Sequence, residues 1–147
     1  VVVAVDPKLG SVDILDYVII EDGGVLVNPM VVDGQIIGGV AQGIGTALYE
    51  EMPFDEHGQP LASTLADYML PGAPEVPSIR IQHIESPSPY TEFGQKGIGE
   101  GGAIAPPAAI VNAINDALKD MGVEIAESPI SPKRLLAAIT KAKLEHV

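Results

Sequence analysis

Two stretches near the start of the chain are rich in β-branched residues. Residues 1–6 (VVVAVD) and 11–21 (SVDILDYVIIE) are separated by PKLG, a turn sequence that ends in glycine. Apolar, β-branched runs bounded by proline and glycine are typical of strands joined in a hairpin. The pattern therefore predicts an N-terminal β-hairpin whose second strand ends at the DGG sequence of residues 22–24.

The next pattern has the period of a helix. Between residues 32 and 52 the apolar positions recur every three to four residues, and Pro53 follows. Glycines at positions 38, 39, 43 and 45 interrupt this helix, although each costs about 1 kcal/mol relative to alanine in a helix interior. Close approach by another backbone or by a ligand is the usual reason for such glycines.

Gln42 is the polar residue of interest in this helix. On a helical projection it falls on the same side as Gly38, Gly39, Gly45 and Thr46. That side would form a smooth groove with one amide able to donate and accept hydrogen bonds. Tight helix packing, with Gln42 satisfied by neighbouring backbone, is the alternative interpretation.

The remainder of the chain alternates short extended segments with helices. The patterns predict a small hairpin at 54–61, a helical turn at 63–68 capped by Ser63, and strands at 78–84 and 123–126. A helix is predicted at 103–121, with Pro106 and Pro107 in its first turn and Gly122 as its C-terminal cap. A last helix begins at Ser131-Pro132 and continues to about residue 143. We predict one α+β domain, with glycine-rich helices packed on a small mixed or antiparallel sheet.

Composition excludes several classes of function. The 147 residues include 20 acidic and 8 basic side chains, a net charge of −12 that repels nucleic acid. The chain has no cysteine, so it supplies no disulfide, thiolate ligand or iron–sulfur cluster, which fits a cytoplasmic protein. Its apolar runs are too short to cross a membrane. The histidines at positions 57, 83 and 146 are too far apart in sequence for a local metal motif. The strand-like start without a signal peptide leads us to expect the tail of a longer protein.

The segment with the clearest chemistry is GQKGIGEGG, residues 94–102, here termed the Glu100 segment. Glycines directly before a helix allow backbone amides to approach a ligand closely. Glu100 is a lone carboxylate among them. The positive end of a helix dipole favours its ionised form, whereas burial opposes ionisation. The balance of these effects suits a general base near neutral pH.

Two other interpretations of this segment remain open. Residues 97–102 match the dinucleotide-binding pattern GxGxxG, but that pattern requires a hydrophobic strand directly before it, and SPYTEF precedes it here. The second alternative is a structural glycine turn in which Glu100 is an exposed acid at a helix start.

Taken together, these segments resemble the molybdenum hydroxylase family, which includes xanthine dehydrogenase, aldehyde oxidase and the large subunit of aerobic carbon monoxide dehydrogenase. The likeness is greatest to subunits of the carbon monoxide dehydrogenase type. The resemblance covers nearly the whole chain in order and spacing. It rests on NPM at 28–30, GQ at 34–35, GGVAQGIG at 38–45, ALYEE at 47–51, DY at 67–68, PSP at 87–89, Gly94 with KGIGE at 96–100, PPA at 106–108 and VNA at 111–113.

The resemblance implies roles for particular residues. Glu100 corresponds to the family's glutamate beside the molybdenum, the base that deprotonates a metal-bound hydroxyl for attack on an electrophilic substrate carbon. Gln42 occupies the position of a glutamine that contacts the pterin cofactor. Gly97, Ile98 and Gly99 would bring backbone close to the metal centre, with no residue of this chain ligating the metal. No role is assigned to Lys96 beyond pairing with a carboxylate.

The resemblance also implies what this chain lacks. Family large subunits run to several hundred residues, and their other pterin-binding loops and substrate loop lie upstream of the region seen here. The chain therefore corresponds to the C-terminal portion of a molybdopterin-binding domain, and we expect it to be inactive alone. The implied cofactor is molybdopterin with molybdenum, in the cytosine dinucleotide form, with FAD and 2Fe-2S on partner subunits and a small-molecule substrate. A non-catalytic interaction module, or an inactive isolated fragment of the same fold, is the alternative. A nucleotide-binding oxidoreductase is a third, weaker one.

Overall fold

The structure is a computed structural model that describes residues 1–145; His146 lies outside this range. Two strands come first, β1 (Val2–Asp6) and β2 (Ser11–Glu21), followed by helix α1 (Pro29–Leu48) and strand β3 (Ile79–His83). The second half contains a short helix α2 (Gly101–Ile104), helix α3 (Pro106–Leu118) with a 3₁₀ turn (Lys119–Met121), and helix α4 (Pro132–Glu145). The predicted α+β class is confirmed.

The sheet is mixed and has the order β1-β2-β3. β1 and β2 form the predicted hairpin, with Asp6 opposite Ser11 at the turn. β3 joins the other side of β2 in parallel, which places Glu21 opposite His83 at the ends of both strands. This parallel pairing brings the chain after β3 to the same edge of the sheet as the residues that follow β2.

Helix α1 begins and ends earlier than the periodicity predicted. Asn28 caps it by accepting a hydrogen bond from the Val31 amide at 3.3 Å, and Pro29 occupies its first turn. At the other end the amides of Tyr49 and Glu50 both donate to the Gly45 carbonyl, so the helix ends at Leu48 rather than near residue 52. The predicted boundaries were displaced because the capping interactions, not the apolar period, set the termini.

Two other local predictions need correction. The turn at residues 64–68 is capped by Thr64, whose hydroxyl accepts from the Ala66 amide, and not by Ser63. The predicted strand at 123–126 is an extended segment without a strand partner among residues 1–145. Its alternating burial is real, but the Asn115 side chain, rather than a strand, pairs with the backbone N–H and C=O of Ile125, both at 2.9 Å.

The hydrophobic core lies between the sheet and the helices. It contains one face of α1, the inward faces of α3 and α4, and alternate residues of β2: Tyr17, Ile19, Ile36, Val40, Ile44, Ile110, Ile114, Leu118, Leu135 and Ile139. The single long helix predicted over residues 103–121 is divided at Ala105 into α2 and α3. Gly122, the predicted C-terminal cap, ends the 3₁₀ turn in the left-handed conformation. Among residues 1–145, no helix is long and apolar enough to span a membrane.

Candidate cofactor-binding and catalytic site

The glycines of α1 mark the place where the Glu100 segment crosses this helix. A Cβ on Gly39 would lie 2.8 Å from the Ala103 nitrogen and 2.8 Å from the Gly102 carbonyl carbon. A Cβ on Gly102 would lie 2.5 Å from the carbonyl oxygen of Ile36. Backbone therefore packs directly on backbone at this crossing, which is one of the two explanations that the sequence left open for the helical glycines.

Beside this crossing, α1 presents an open face. Gly38 has no atom within 4 Å of the position that a Cβ would occupy. The Gln42 side chain is exposed and makes no hydrogen bond with residues 1–145, whereas its carbonyl accepts from the Thr46 hydroxyl at 3.2 Å. Gly45, which was predicted to lie on this face, is instead buried against the carboxylate of Glu50. The alternative in which neighbouring backbone satisfies Gln42 does not describe this structure.

Glu100 lies at the N-cap of α2 with φ −112° and ψ 0°. Its side chain is exposed and makes no capping hydrogen bond, and its carbonyl accepts from the Ala103 amide at 2.9 Å. Gly97 and Gly99, which precede it, are exposed and have open space where a Cβ would be. The carboxylate and the backbone before it are thus available to a ligand.

Gln35 links α1 directly to this segment. Its side-chain Nε2 donates to the Gly99 carbonyl at 3.1 Å, across 64 residues of sequence. Gln35 lies seven residues before Gln42, which is close to two helical turns and places both side chains on one face of α1. No sequence pattern predicted a role for Gln35, which was noted only as part of the GQ motif at residues 34–35.

A polar cluster holds the other end of the segment. Lys96 Nζ donates to Asp22 Oδ2 and to the Ser86 hydroxyl, both at 2.8 Å, and the Lys96 amide donates to the Gly23 carbonyl at 2.9 Å. Asp22 also accepts from the backbone amides of Gly24 and Ser86. The Lys96 ammonium and these donors hold the pKa of Asp22 well below its usual range. Lys96 therefore pairs with a carboxylate, as the sequence analysis allowed.

Acidic and histidine side chains lie beneath the start of α2. A Cβ on Gly101 would collide with the Glu21 carboxylate, and burial raises the pKa of Glu21 while nearby His83 opposes that shift. His83 Nε2 is 2.8 Å from Asp33 Oδ1. Glu21 Oε2 and His83 Nδ1 are buried without a hydrogen-bond partner among residues 1–145. Within residues 1–145, no group of three or more His, Cys, Asp or Glu side chains is placed so that it could bind a metal ion.

These contacts bring the two predicted motifs together. The crossing point, Gly39, lies between Gln35 and Gln42 on α1 and touches residues two to three positions after Glu100. The open backbone of Gly38 and the unpaired carboxamide of Gln42 lie within three residues of Gly39 on α1, and the exposed carboxylate of Glu100 lies two residues before Gly102. The arrangement fits a bound polar cofactor: the bare backbone leaves space for it, Gln42 can hydrogen-bond to it, and Glu100 can accept a proton.

Comparison with known proteins identifies the family. The model of the molybdopterin cofactor-binding domain matches residues 1–77. Over 93% of this chain, the sequence is 42% identical to the nicotine 6-hydroxylase large subunit of Paenarthrobacter nicotinovorans. Over 97% of this chain, it is 33% identical to the carbon monoxide dehydrogenase large chain of Hydrogenophaga pseudoflava. The crystal structure of quinoline 2-oxidoreductase from Pseudomonas putida 86 superposes with a TM-score of 0.92, at 45% identity over 95% of this chain and 18% of that one.

The chain belongs to the molybdopterin cofactor-binding domain family of the molybdenum hydroxylases. It spans 17% of the nicotine 6-hydroxylase large subunit and 18% of the carbon monoxide dehydrogenase large chain. The family resemblance stated from the motifs is confirmed.

Proposed function

We propose that this chain is the part of a molybdenum-dependent hydroxylase that carries the catalytic base, Glu100. The proposal rests on an exposed carboxylate that directly follows open glycine backbone, in a segment that Gln35 of α1 hydrogen-bonds at Gly99. A structural glycine turn would need neither the carboxylate nor the unpaired carboxamide of Gln42 on the neighbouring helix. The family to which the chain belongs supports the same assignment.

The proposed roles follow from the chemistry of each group. The Gln42 carboxamide would hydrogen-bond to the pterin, and the backbone of Gly97, Ile98 and Gly99 would approach the metal centre without ligating it. When bound, the molybdenum cofactor supplies the two-electron oxidation that hydroxylation requires. Glu100 accepts a proton at its carboxylate oxygen from the oxygen nucleophile as that nucleophile attacks an electrophilic carbon of the substrate.

The rest of the enzyme is part of the proposal. We place this chain in the C-terminal portion of a molybdopterin-binding subunit, whose other parts enclose the cofactor in its cytosine dinucleotide form. Subunits carrying FAD and 2Fe-2S would take the electrons. One relative is named as subunit gamma of the 6-hydroxypseudooxynicotine dehydrogenase complex, which supports assembly with other subunits. The isolated chain is expected to turn over no substrate.

The test is Glu100→Gln in the complete enzyme, with Glu92→Gln as the matched control. Glu92 is an exposed glutamate eight positions earlier in the chain and has no hydrogen bond to residues 1–145. A positioned general base contributes about 10²–10⁴-fold to a rate. Glu100→Gln should therefore lower kcat by at least about 10²-fold, while Glu92→Gln leaves kcat unchanged. Molybdenum, measured by elemental analysis, should stay stoichiometric in both. Turnover near wild type in Glu100→Gln would overturn the assignment.

The same preparation tests the main alternative. A non-catalytic interaction module would assemble with its partners yet contain no molybdenum. Stoichiometric metal with activity that depends on Glu100 is the result expected from the proposal.

A further inference from the structure

The peptide bond between Gly99 and Glu100 has little support from packing. Neither Gly97 nor Gly99 has an atom within 4 Å of the place where a side chain would begin. The Glu100 side chain makes no capping hydrogen bond that would fix it. The hydrogen bond that the structure gives to the Gly99 carbonyl comes from Gln35 Nε2, at 3.1 Å.

Holding this one carbonyl restricts the directions that the Glu100 side chain can take. A peptide unit is planar, so the position of the Gly99 oxygen sets the plane in which the Glu100 nitrogen and Cα lie. Glycine populates many more backbone conformations than other residues, so the residues on either side of Glu100 do not restrict that plane themselves. A catalytic group must be held within about 0.5 Å and 10–20° of its productive geometry.

We propose that Gln35 is a positioning residue for Glu100, an inference that rests on the proposed function. Gln35 acts through the Gly99 carbonyl and is not itself a catalytic residue. It lies on the same face of α1 as Gln42, about 10 Å away along the helix axis at 1.5 Å per residue. One helix therefore carries both the residue that contacts the cofactor and the residue that orients the base.

The decisive variants are Gln35→Met and Gln35→Glu in the complete enzyme. Methionine keeps the length of the side chain and removes the donor. The introduced carboxyl group keeps the shape, and it can donate to the Gly99 carbonyl only when protonated. Gln59→Met, a substitution in the exposed turn at residues 55–59, is the matched control. Gln35 is exposed, so neither substitution changes the core.

For turnover we expect kcat to fall about tenfold in Gln35→Met, the factor that corresponds to 1.36 kcal/mol, with KM unchanged. At neutral pH the Gln35→Glu variant should be equally impaired. Its kcat relative to that of Gln35→Met should rise as the pH is lowered through the pKa of the introduced carboxyl group. A purely structural role would not produce this added pH dependence.

Hydrogen exchange supplies a readout that does not depend on activity. The Ala103 amide donates to the Glu100 carbonyl, so a loosened Glu100 should expose it. Mass spectrometry of the peptide containing Ala103 should show faster exchange in Gln35→Met than in Gln59→Met, in the enzyme with or without cofactor. Equal exchange and equal kcat in these two variants would overturn the positioning role. If Glu100→Gln instead retained turnover, the proposed function would fail, while the exchange result would still report whether Gln35 holds the segment.

Discussion

Gly38 and Gly39 are adjacent residues of helix α1, but a methyl group added at each would meet different surroundings. At Gly38 there is open space, whereas at Gly39 the nearest backbone atoms of Gly102 and Ala103 would be only 2.8 Å away. An ordinary van der Waals contact begins at 3.4 Å, so α2 would have to move by about 0.6 Å to accept a Cβ at position 39. Those atoms belong to backbone and cannot rotate out of the way.

The expected stabilities follow from two opposing terms. Alanine in place of glycine favours a helix interior by about 0.8–1 kcal/mol, and this gain applies equally to both positions. Overpacking against fixed neighbours costs about 1–3 kcal/mol, and this cost applies only to Gly39→Ala. Gly38→Ala should therefore raise the free energy of unfolding by up to about 1 kcal/mol. Gly39→Ala should be less stable than Gly38→Ala by about 1–3 kcal/mol.

Urea denaturation of the two variants and the wild-type chain, followed by circular dichroism at one temperature, measures these differences. Equal unfolding free energies for the two alanine variants would refute the claim that α1 and α2 are in backbone contact at Gly39. A second measurement tests the open face: in the complete enzyme Gly38→Ala should lower the molybdenum content although it stabilises the helix. Full metal content would mean that the cofactor does not approach α1 at Gly38.

Two further predictions concern contacts away from α1. Asn115→Ala should lower the unfolding free energy by about 1–3 kcal/mol because it leaves the N–H and C=O of Ile125 unpaired. The control Asn112→Ala, at an exposed position of the same helix, should change it little. Equal urea midpoints for the two variants would contradict this prediction. Asp22 has a lowered pKa in the folded chain, so its stabilising contribution is complete above the ordinary value of 3.8 and is lost as the pH falls towards the folded-state value. Asp22→Asn should therefore shift the urea midpoint more at pH 7 than at pH 3, and a shift independent of pH would show that the charge paired with Lys96 contributes nothing.

The sequence predicted the elements of the fold better than the contacts between them. The alternation of residues 1–21 and the apolar period of α1 depend on local spacing, so the hairpin and the helix could be inferred directly. The strand predicted at 123–126 was wrong because burial on alternate sides does not require a strand partner. Asn115 provides the hydrogen bonds instead, and a side chain ten positions earlier leaves no periodic signal.

The candidate site shows the same limit. Glu100 and Gln42 could be selected because each is a polar residue among glycines, a local feature that the family motifs reinforce. Gly38 and Gly39 look alike in the sequence, and only the course of α2 separates the open position from the packed one. Gln35 and Asp22 contact the Glu100 segment across 64 and 74 residues, and no short-range pattern predicts such contacts.

These long separations also bear on the order of events during folding. Contacts between distant residues require large loops to close first, and the entropic cost of closure precedes the gain from the contact. The hairpin and α1 can form from neighbouring residues, but the Glu100 segment acquires its anchors only after the chain has brought residues 22, 35, 86 and 96 together. We therefore expect the Glu100 segment to reach its folded position late, after the hairpin and α1 have formed.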